Sequence, residues 1–307
     1  MRKETFSRTW FVILACFAAC TLWGSAFPCI KTGYRMFDIG PDDFASQILF
    51  AGIRFFAAGL MVIAYASAFE RKIIFPSGPA WKKVIVLSFL QTSLQYALFY
   101  TGLANTGAVN GSIISGSGGF FTMIVGALFM SSDRMTLRKT LGCILGFGGI
   151  LIMNITPDFT LEVNPAGDGL LILSSVSSAF SSLMMKIYAK GENPVMLSGY
   201  QFAAGGLVLV LTGVCLGGRL DSAGPKGIIL LLYMAFISSA AYTIWSVLLK
   251  YNDISKIAVF KFIIPVMGVI LSAVFLPDAD IDASCMAALA LVVAGIFTVN
   301  GKRQLST

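Results

Sequence analysis

Two cations and two amides lie where a polar side chain is hardest to keep. Arg54, Lys261, Gln91 and Gln95 all fall inside long apolar runs. Arg54 is about ten residues into its run, roughly 15 Å deep at about 1.5 Å of rise per residue. Snorkelling from that depth is difficult, and a lipid-facing arginine would cost several kcal/mol. Arg54 is therefore expected to face a bundle interior or a water-filled cavity, as a solute contact or as a structural group bonded to carbonyls. Lys261 stands one turn before Pro265, and that proline frees the carbonyl of Lys261 and favours a bend there. Gln91 and Gln95 are four apart and share one helical face, suited to a polar solute or to bonds between helices. Interior cations without acids suit a solute that carries a carboxylate, phosphate or other anionic group.

The residues that are missing are equally informative. The chain has no histidine, which removes the usual zinc sites, Ser-His-Asp and Cys-His catalysis, and histidine proton relays. Its six cysteines have no metal-ligand spacing and sit in or beside apolar runs, so they are expected to be small buried hydrophobes. No carboxylate falls deep in a run. Catalytic residues, metals and cofactors are expected to be absent, and an intramembrane enzyme is disfavoured because nothing supplies a nucleophile–base pair.

Further candidates for a pocket wall are Trp23, Tyr242 and Trp245, which lie too far into their runs to be plain interfacial anchors. Ser238 and Ser239 share a stripe with Tyr242 and Trp245. Ser115 belongs to a small, polar face of Gly111, Ser112, Gly118, Gly119 and Thr122 that lines a cavity or packs closely against the first or third helix. Lys31 and Lys186 are near run ends and are expected to snorkel. Gly142/Gly146 and Ala290/Ala294 are spaced for close helix packing.

These residues need elements to hold them. The 307-residue chain is 57% hydrophobic and only 12% charged, with mean hydropathy +0.83. A soluble protein carries about twice that share of charge, so the chain reads as an all-α polytopic membrane protein. Runs of about 20 apolar residues fall at 10–31, 44–68, 81–102, 107–130, 138–155, 168–189, 196–216, 227–249, 256–276 and 283–300, predicting ten transmembrane helices. The first is read as an uncleaved helix, because its apolar run continues to Ile30. With the N-terminus inside, fifteen basic residues face the cytoplasm and three, Arg35, Arg219 and Lys226, face outward. The positive-inside rule then puts both termini in the cytoplasm. The net charge of +7 reflects topology, so a lipid bilayer and a small-molecule substrate are the expected partners and nucleic acid is not.

Ten divides into two fives. Residues 1–155 and 168–307 form the halves, with an outside connection at 156–167. Phe129-Met130 and Asp133 before Gly142–Asn154 resemble Phe275-Leu276 and Asp278 before Cys285–Asn300. An odd number of spans per half makes the two five-helix repeats inverted, with a site near the midplane between them.

The motifs resemble the EamA-type members of the drug/metabolite transporter superfamily. They are Leu22-Trp23-Gly24-Ser25-Ala26-Phe27, Leu103-Ala104 with Thr106 and Ala108, Ser132-Asp133-Arg134, Leu141-Gly142 with Gly148-Gly149, and Pro265. Phe120 and the Asp at 133 depart from the pattern, where the family often has proline and glutamate. The resemblance implies export or exchange of a small metabolite, amino-acid-like or anionic, by alternating access in the plasma membrane, as a monomer or homodimer. A sugar-phosphate or nucleotide-sugar exchanger is the alternative within the superfamily. Its small four-helix drug exporters use an acid in the first helix. The run TWFVILACFAACTLWGSAFPCIK has none, which disfavours that cationic antiport.

Overall fold

The computed structural model describes residues 3–40, 42–105, 114–154, 164–275 and 283–301. A short helix, Lys3–Ser7, leads into α1 (Thr9–Met36), α2 (Phe44–Glu70), α3 (Gly78–Leu103), α4 (Ile114–Phe129) and α5 (Leu137–Asn154). Then follow α6 (Pro165–Tyr188), α7 (Pro194–Cys215), α8 (Gly224–Tyr251), α9 (Ile254–Phe275) and α10 (Ala283–Asn300). All but α4 and α5, eight helices among the described residues, are long and apolar enough to cross a membrane. Their outer faces expose large apolar side chains such as Leu14, Leu60, Leu211 and Phe236, as a protein solvated by lipid does. Residues 156–163 of the expected central connection, the fourth-run residues Gly111 and Ser112, and Asp278 lie outside the described residues.

Backbone polarity explains the local irregularities, since no carbonyl can be left bare in lipid. The middle of α3, Ser88–Leu94, is a π-helix. Its widened turn is served by the serines of α6. Ser177 donates to the Leu90 carbonyl at 2.7 Å, and Ser174 donates to that of Gln95 at 2.8 Å. In α9, the stretch Val259–Phe262 ahead of Pro265 tightens to a 3-10 turn, and the Cys20 thiol of α1 donates to the Phe260 carbonyl at 3.2 Å.

Packing follows a rule: adding five to each helix number turns one major contact into another. The contact α1–α8 becomes α6–α3, α1–α9 becomes α6–α4, and α2–α8 becomes α7–α3, while α2–α7 and α5–α10 map onto themselves. The correspondence holds residue by residue. A side chain at Gly59 would overlap the Ala203 backbone, and one at Gly206 would overlap that of Phe56. Gly52 meets Val210, and Gly199 meets Ile63. In the second self-pair, Gly295 lies on the Gly142 carbonyl and Gly149 on that of Ala288. Small residues at these crossings let the backbones approach closely, which is how helices gain contact energy in lipid.

Two expectations about faces need correction. Ala290 and Ala294 are exposed; α10 packs through Ala288, Val292 and Gly295 instead. Lys186 does not snorkel. It is buried at the end of α6 and donates to the Leu249 and Asn252 carbonyls at 3.2 and 2.5 Å, capping the C-terminus of α8. Nor are all cysteines buried: Cys215 is exposed and Cys29 half-buried.

At the end of the bundle holding the N-terminus, Asp133 is wholly buried between α4 and α5. It pairs with Lys139 at 2.5 Å, and accepts from the Ser255 backbone N–H at 2.9 Å and from the Ser255 hydroxyl. This carboxylate thereby ties the α4–α5 turn to the start of α9.

Candidate functional site

The helices α1, α2, α3, α7 and α8 converge on Arg54, which is buried. Its guanidinium lies over the Phe55 ring at 4.4 Å. The hydroxyls of Tyr34, Tyr96, Tyr100 and Tyr242 stand around its charge. No ion pair reaches it among the described residues, and its Nε has no hydrogen-bond partner. Arginine does not lose its proton in proteins, so this is a buried cation with the Tyr96 hydroxyl beside it and no counter-ion among the described residues.

From Arg54 a line of rings crosses the bundle. Phe55 meets Phe202 at 5.5 Å, Phe202 meets Tyr242 at 4.7 Å, Tyr242 meets Trp23 at 4.8 Å, and Trp23 meets Trp245 at 5.2 Å. At the far end, the Lys261 ammonium stands 5.5 Å from the Trp245 ring centre. Lys261 donates to the Thr122 hydroxyl of α4 at 3.0 Å and has no carboxylate partner among the described residues. Trp23, Tyr96, Tyr242 and Lys261 are deep in the bundle yet only partly covered, so they border internal space. The Tyr96 and Tyr242 hydroxyls are 3.3 Å apart.

A small pocket opens beside these rings. Tyr242 and Trp245 form its inner wall, and Gln91, Ser182, Ser198 and Ser246 give it a polar lining. Gln91 is fixed by the Ser181 hydroxyl, which donates to its Oε1 at 2.8 Å.

Six of the eight residues expected to line a site are joined by ring contacts or by this pocket, and Gln95 follows Gln91 along α3. Arg54 and Lys261 mark the ends of this group, Trp23, Tyr242 and Trp245 are its rings, and Gln91 and Gln95 lie along the α3 side. No hydrogen bond connects Ser115 to the group among the described residues. The small face of α4 packs on α9, with Gly119 against the Ala258 carbonyl and Thr122 fully buried, rather than on the first or third helix. Gly118 borders open space.

Sequence reasoning missed Gln201 and the phenol ring around Arg54. Gln201 is fully buried on α7; its Oε1 accepts from the Thr92 hydroxyl at 3.0 Å, and its Nε2 has no partner. The signal was present in the string Tyr200-Gln201-Phe202-Ala203-Ala204-Gly205-Gly206, which matches Ile53-Arg54-Phe55-Phe56-Ala57-Ala58-Gly59.

An unpaired interior cation among rings, with no nucleophile–base pair beside it, describes a solute path better than a reaction centre. The model of the EamA-like transporter family matches the chain twice, over residues 10–155 and 165–301. The chain belongs to the EamA-like transporter family. It is therefore a multi-pass, secondary-active transporter of small molecules and not an enzyme. An uncharacterized transporter of Bacillus subtilis, YvbV, is 25% identical over 92% of this chain and 89% of its own. A probable amino-acid metabolite efflux pump of Salmonella typhimurium is 24% identical over 90% of each chain. A WAT1-related chloroplastic protein of Arabidopsis thaliana is 25% identical, over 95% of this chain and 69% of that one. One crystal structure shares the EamA-like fold with a TM-score of 0.74 at 15% identity, covering 94% of this chain and 95% of its own.

Proposed function

We propose that this transporter exports or exchanges a small polar metabolite with an anionic group, amino-acid-like or a simple anion, and that Arg54 anchors that group. The observation that carries the reading is the buried guanidinium without a counter-ion. Leaving a charge unpaired in a low-dielectric interior is costly, and a solute carboxylate or phosphate would relieve that cost each time it binds. Lys261, Gln91, Gln95, Tyr242, Trp245 and Trp23 complete the contact surface, with Ser115 nearer the mouth of α4.

The proposed framework is ten spans in two inverted five-helix repeats, 1–155 and 168–307, joined at 156–167. The add-five packing rule and the twofold family match support it. Rocking of one half against the other about a midplane site gives alternating access. The plasma membrane, with both termini in the cytoplasm, agrees with the basic residues at the N-terminal end. Labelling of Cys215 by a membrane-impermeant maleimide from outside intact cells tests that orientation; labelling only after lysis would reverse it.

The function is tested with purified protein in vesicles. Uptake of radiolabelled amino acids, organic acids and sugar phosphates is measured against Arg54→Leu. A solute carried by the wild type and not by a stably inserted Arg54→Leu supports the anchor, whereas unchanged transport removes Arg54 from the site. A requirement for solute on both sides marks exchange; its absence marks net export.

A further inference from the structure

We propose that the site selects a small aromatic carboxylate: a planar ring bearing an anionic group and no ammonium. This rests on Arg54 as the solute anchor and decides between the two solute types named above.

The unsatisfied atoms define the charge. Around the rings the buried, unpartnered donors Arg54 Nε, Trp23 Nε1 and Gln201 Nε2 outnumber the one unpartnered acceptor, Gln95 Oε1. Donors in want of acceptors call for carboxylate oxygens. An ammonium group would find the Gln95 amide oxygen but no carboxylate beside it among the described residues. The buried carboxylates among the described residues are Asp133 and Asp168. Asp133 is committed to Lys139 and Ser255 at the N-terminal end of the bundle. Asp168 lies in the first turn of α6, at that helix's end, where its Oδ2 accepts the Asn164 N–H at 2.9 Å and its Oδ1 has no partner. A zwitterion would bring its positive charge into a space already holding Arg54 and Lys261. Ring faces offer an ammonium only modest attraction, and both cations repel it.

The rings define the body of the solute. Between the two cations the wall is Phe55, Phe202, Tyr96, Tyr242, Trp23 and Trp245, joined by edge-to-face, tilted and stacked contacts. The partial exposure of Trp23, Tyr96 and Tyr242 inside the bundle leaves parts of these rings free. A flat ring gains from such a wall what an aliphatic chain of equal size does not, because ring pairs contribute beyond the area they bury.

Four probes of matched size separate charge from ring: 3-phenylpropanoate, phenylalanine, 2-phenylethylamine and 3-cyclohexylpropanoate. Thermal unfolding and tryptophan fluorescence of the full-length protein in detergent give the affinities. We expect 3-phenylpropanoate to bind about tenfold more tightly than phenylalanine and about threefold or more above 3-cyclohexylpropanoate, with 2-phenylethylamine inactive. Arg54→Gln should weaken both carboxylates alike, by about tenfold or more, and Arg54→Lys should recover part of the loss. Tyr242→Leu should erase the preference for the aromatic ring while sparing the charge preference. Phenylalanine binding as tightly, or the cyclohexyl acid binding equally, overturns the proposal; if that binding still falls in Arg54→Gln, the anchor survives alone. Binding that persists in a folded Arg54→Gln protein overturns both. If 3-phenylpropanoate fails to bind the wild type, the aromatic class is wrong, and the vesicle assay still judges Arg54.

Discussion

Phe55 and Phe202 stack with ring centres 5.5 Å apart and planes 14° apart, and each follows the polar residue that its helix points into the centre. That residue is Arg54 on α2 and Gln201 on α7. The two helices are otherwise matched, glycine for glycine, through Gly52 with Gly199 and Gly59 with Gly206. The charge breaks the match. One side of the crossing offers a guanidinium and the other a neutral amide, so the centre is polarised although its scaffold is duplicated. Both groups also retain an unpartnered donor, which places unmet polarity on either side of one stacked pair.

Arg54 should trade stability for transport. Removing an unpaired buried charge relieves desolvation, so Arg54→Leu should leave the melting temperature unchanged or raise it, by the equivalent of about 1 kcal/mol or more. Transport should fall about 10- to 100-fold, since a charged hydrogen bond contributes about 1.5–3 kcal/mol. Thermal unfolding and vesicle uptake on one preparation measure both. A strongly destabilised Arg54→Leu would mark the arginine as structural.

The reciprocal glycines should behave as a pair. Gly59→Ala places a methyl against the Ala203 backbone, and Gly206→Ala does the same to Phe56. Each should destabilise by about 1–3 kcal/mol through overpacking, by similar amounts, because the two environments mirror each other. Gly148 borders open space, and Gly148→Ala should be neutral or slightly stabilising through helix propensity. Melting temperatures of the three variants suffice. A large difference between Gly59→Ala and Gly206→Ala would argue that the two halves are not equivalent.

The helices were legible because their apolar runs are long, and Arg54 because depth alone makes an arginine conspicuous. Facing direction was not legible. A helix in lipid is apolar all round, so periodicity does not reveal which side meets protein. That is why Ala290 and Ala294 read as a packing face while Ala288 and Gly295 hold it. Lys186 misled for a related reason: near a run end, water and the frayed carbonyls of α8 are equally reachable, and only the fold decides. Gln91 and Gln95 were read as one α-helical face, but the π-helical turn that carries Gln91 has no sequence mark. The serines of α6 that serve it look like ordinary small residues until α3 lies beside them.

Asp133 should act as a tie between the α4–α5 turn and the start of α9. Asp133→Ala leaves Lys139 without its partner and the Ser255 N–H and hydroxyl without their acceptor. We expect a loss of about 2–4 kcal/mol, less than a fully sealed pair would give because Lys139 can turn to water. Asp133→Asn keeps an acceptor for Ser255 and should lose less. Adding Lys139→Met to Asp133→Asn should cost less than the two single changes together, because the pair is coupled. Thermal unfolding of the four proteins gives the cycle; strict additivity would show that the ion pair contributes nothing.

Lys261 reaches from α9 to Thr122 of α4, so its ammonium bridges those two helices at the end of the ring line opposite Arg54. As a solute contact its loss should raise the half-saturating concentration without abolishing turnover. Lys261→Met keeps the length and apolar stem of the side chain, so stability should change by about 1 kcal/mol or less, while the half-saturating solute concentration rises about tenfold. Thr122→Val removes the acceptor but leaves the charge and the Trp245 contact in place, and should have the smaller effect on uptake. Concentration-dependent uptake in vesicles, with thermal unfolding alongside, separates the outcomes. If Lys261→Met unfolds the protein and Lys261→Arg rescues folding but not uptake, the ammonium both holds the α4–α9 contact and meets the solute. Wild-type uptake in a stable Lys261→Met protein would leave Arg54 as the sole interior charge acting on the solute.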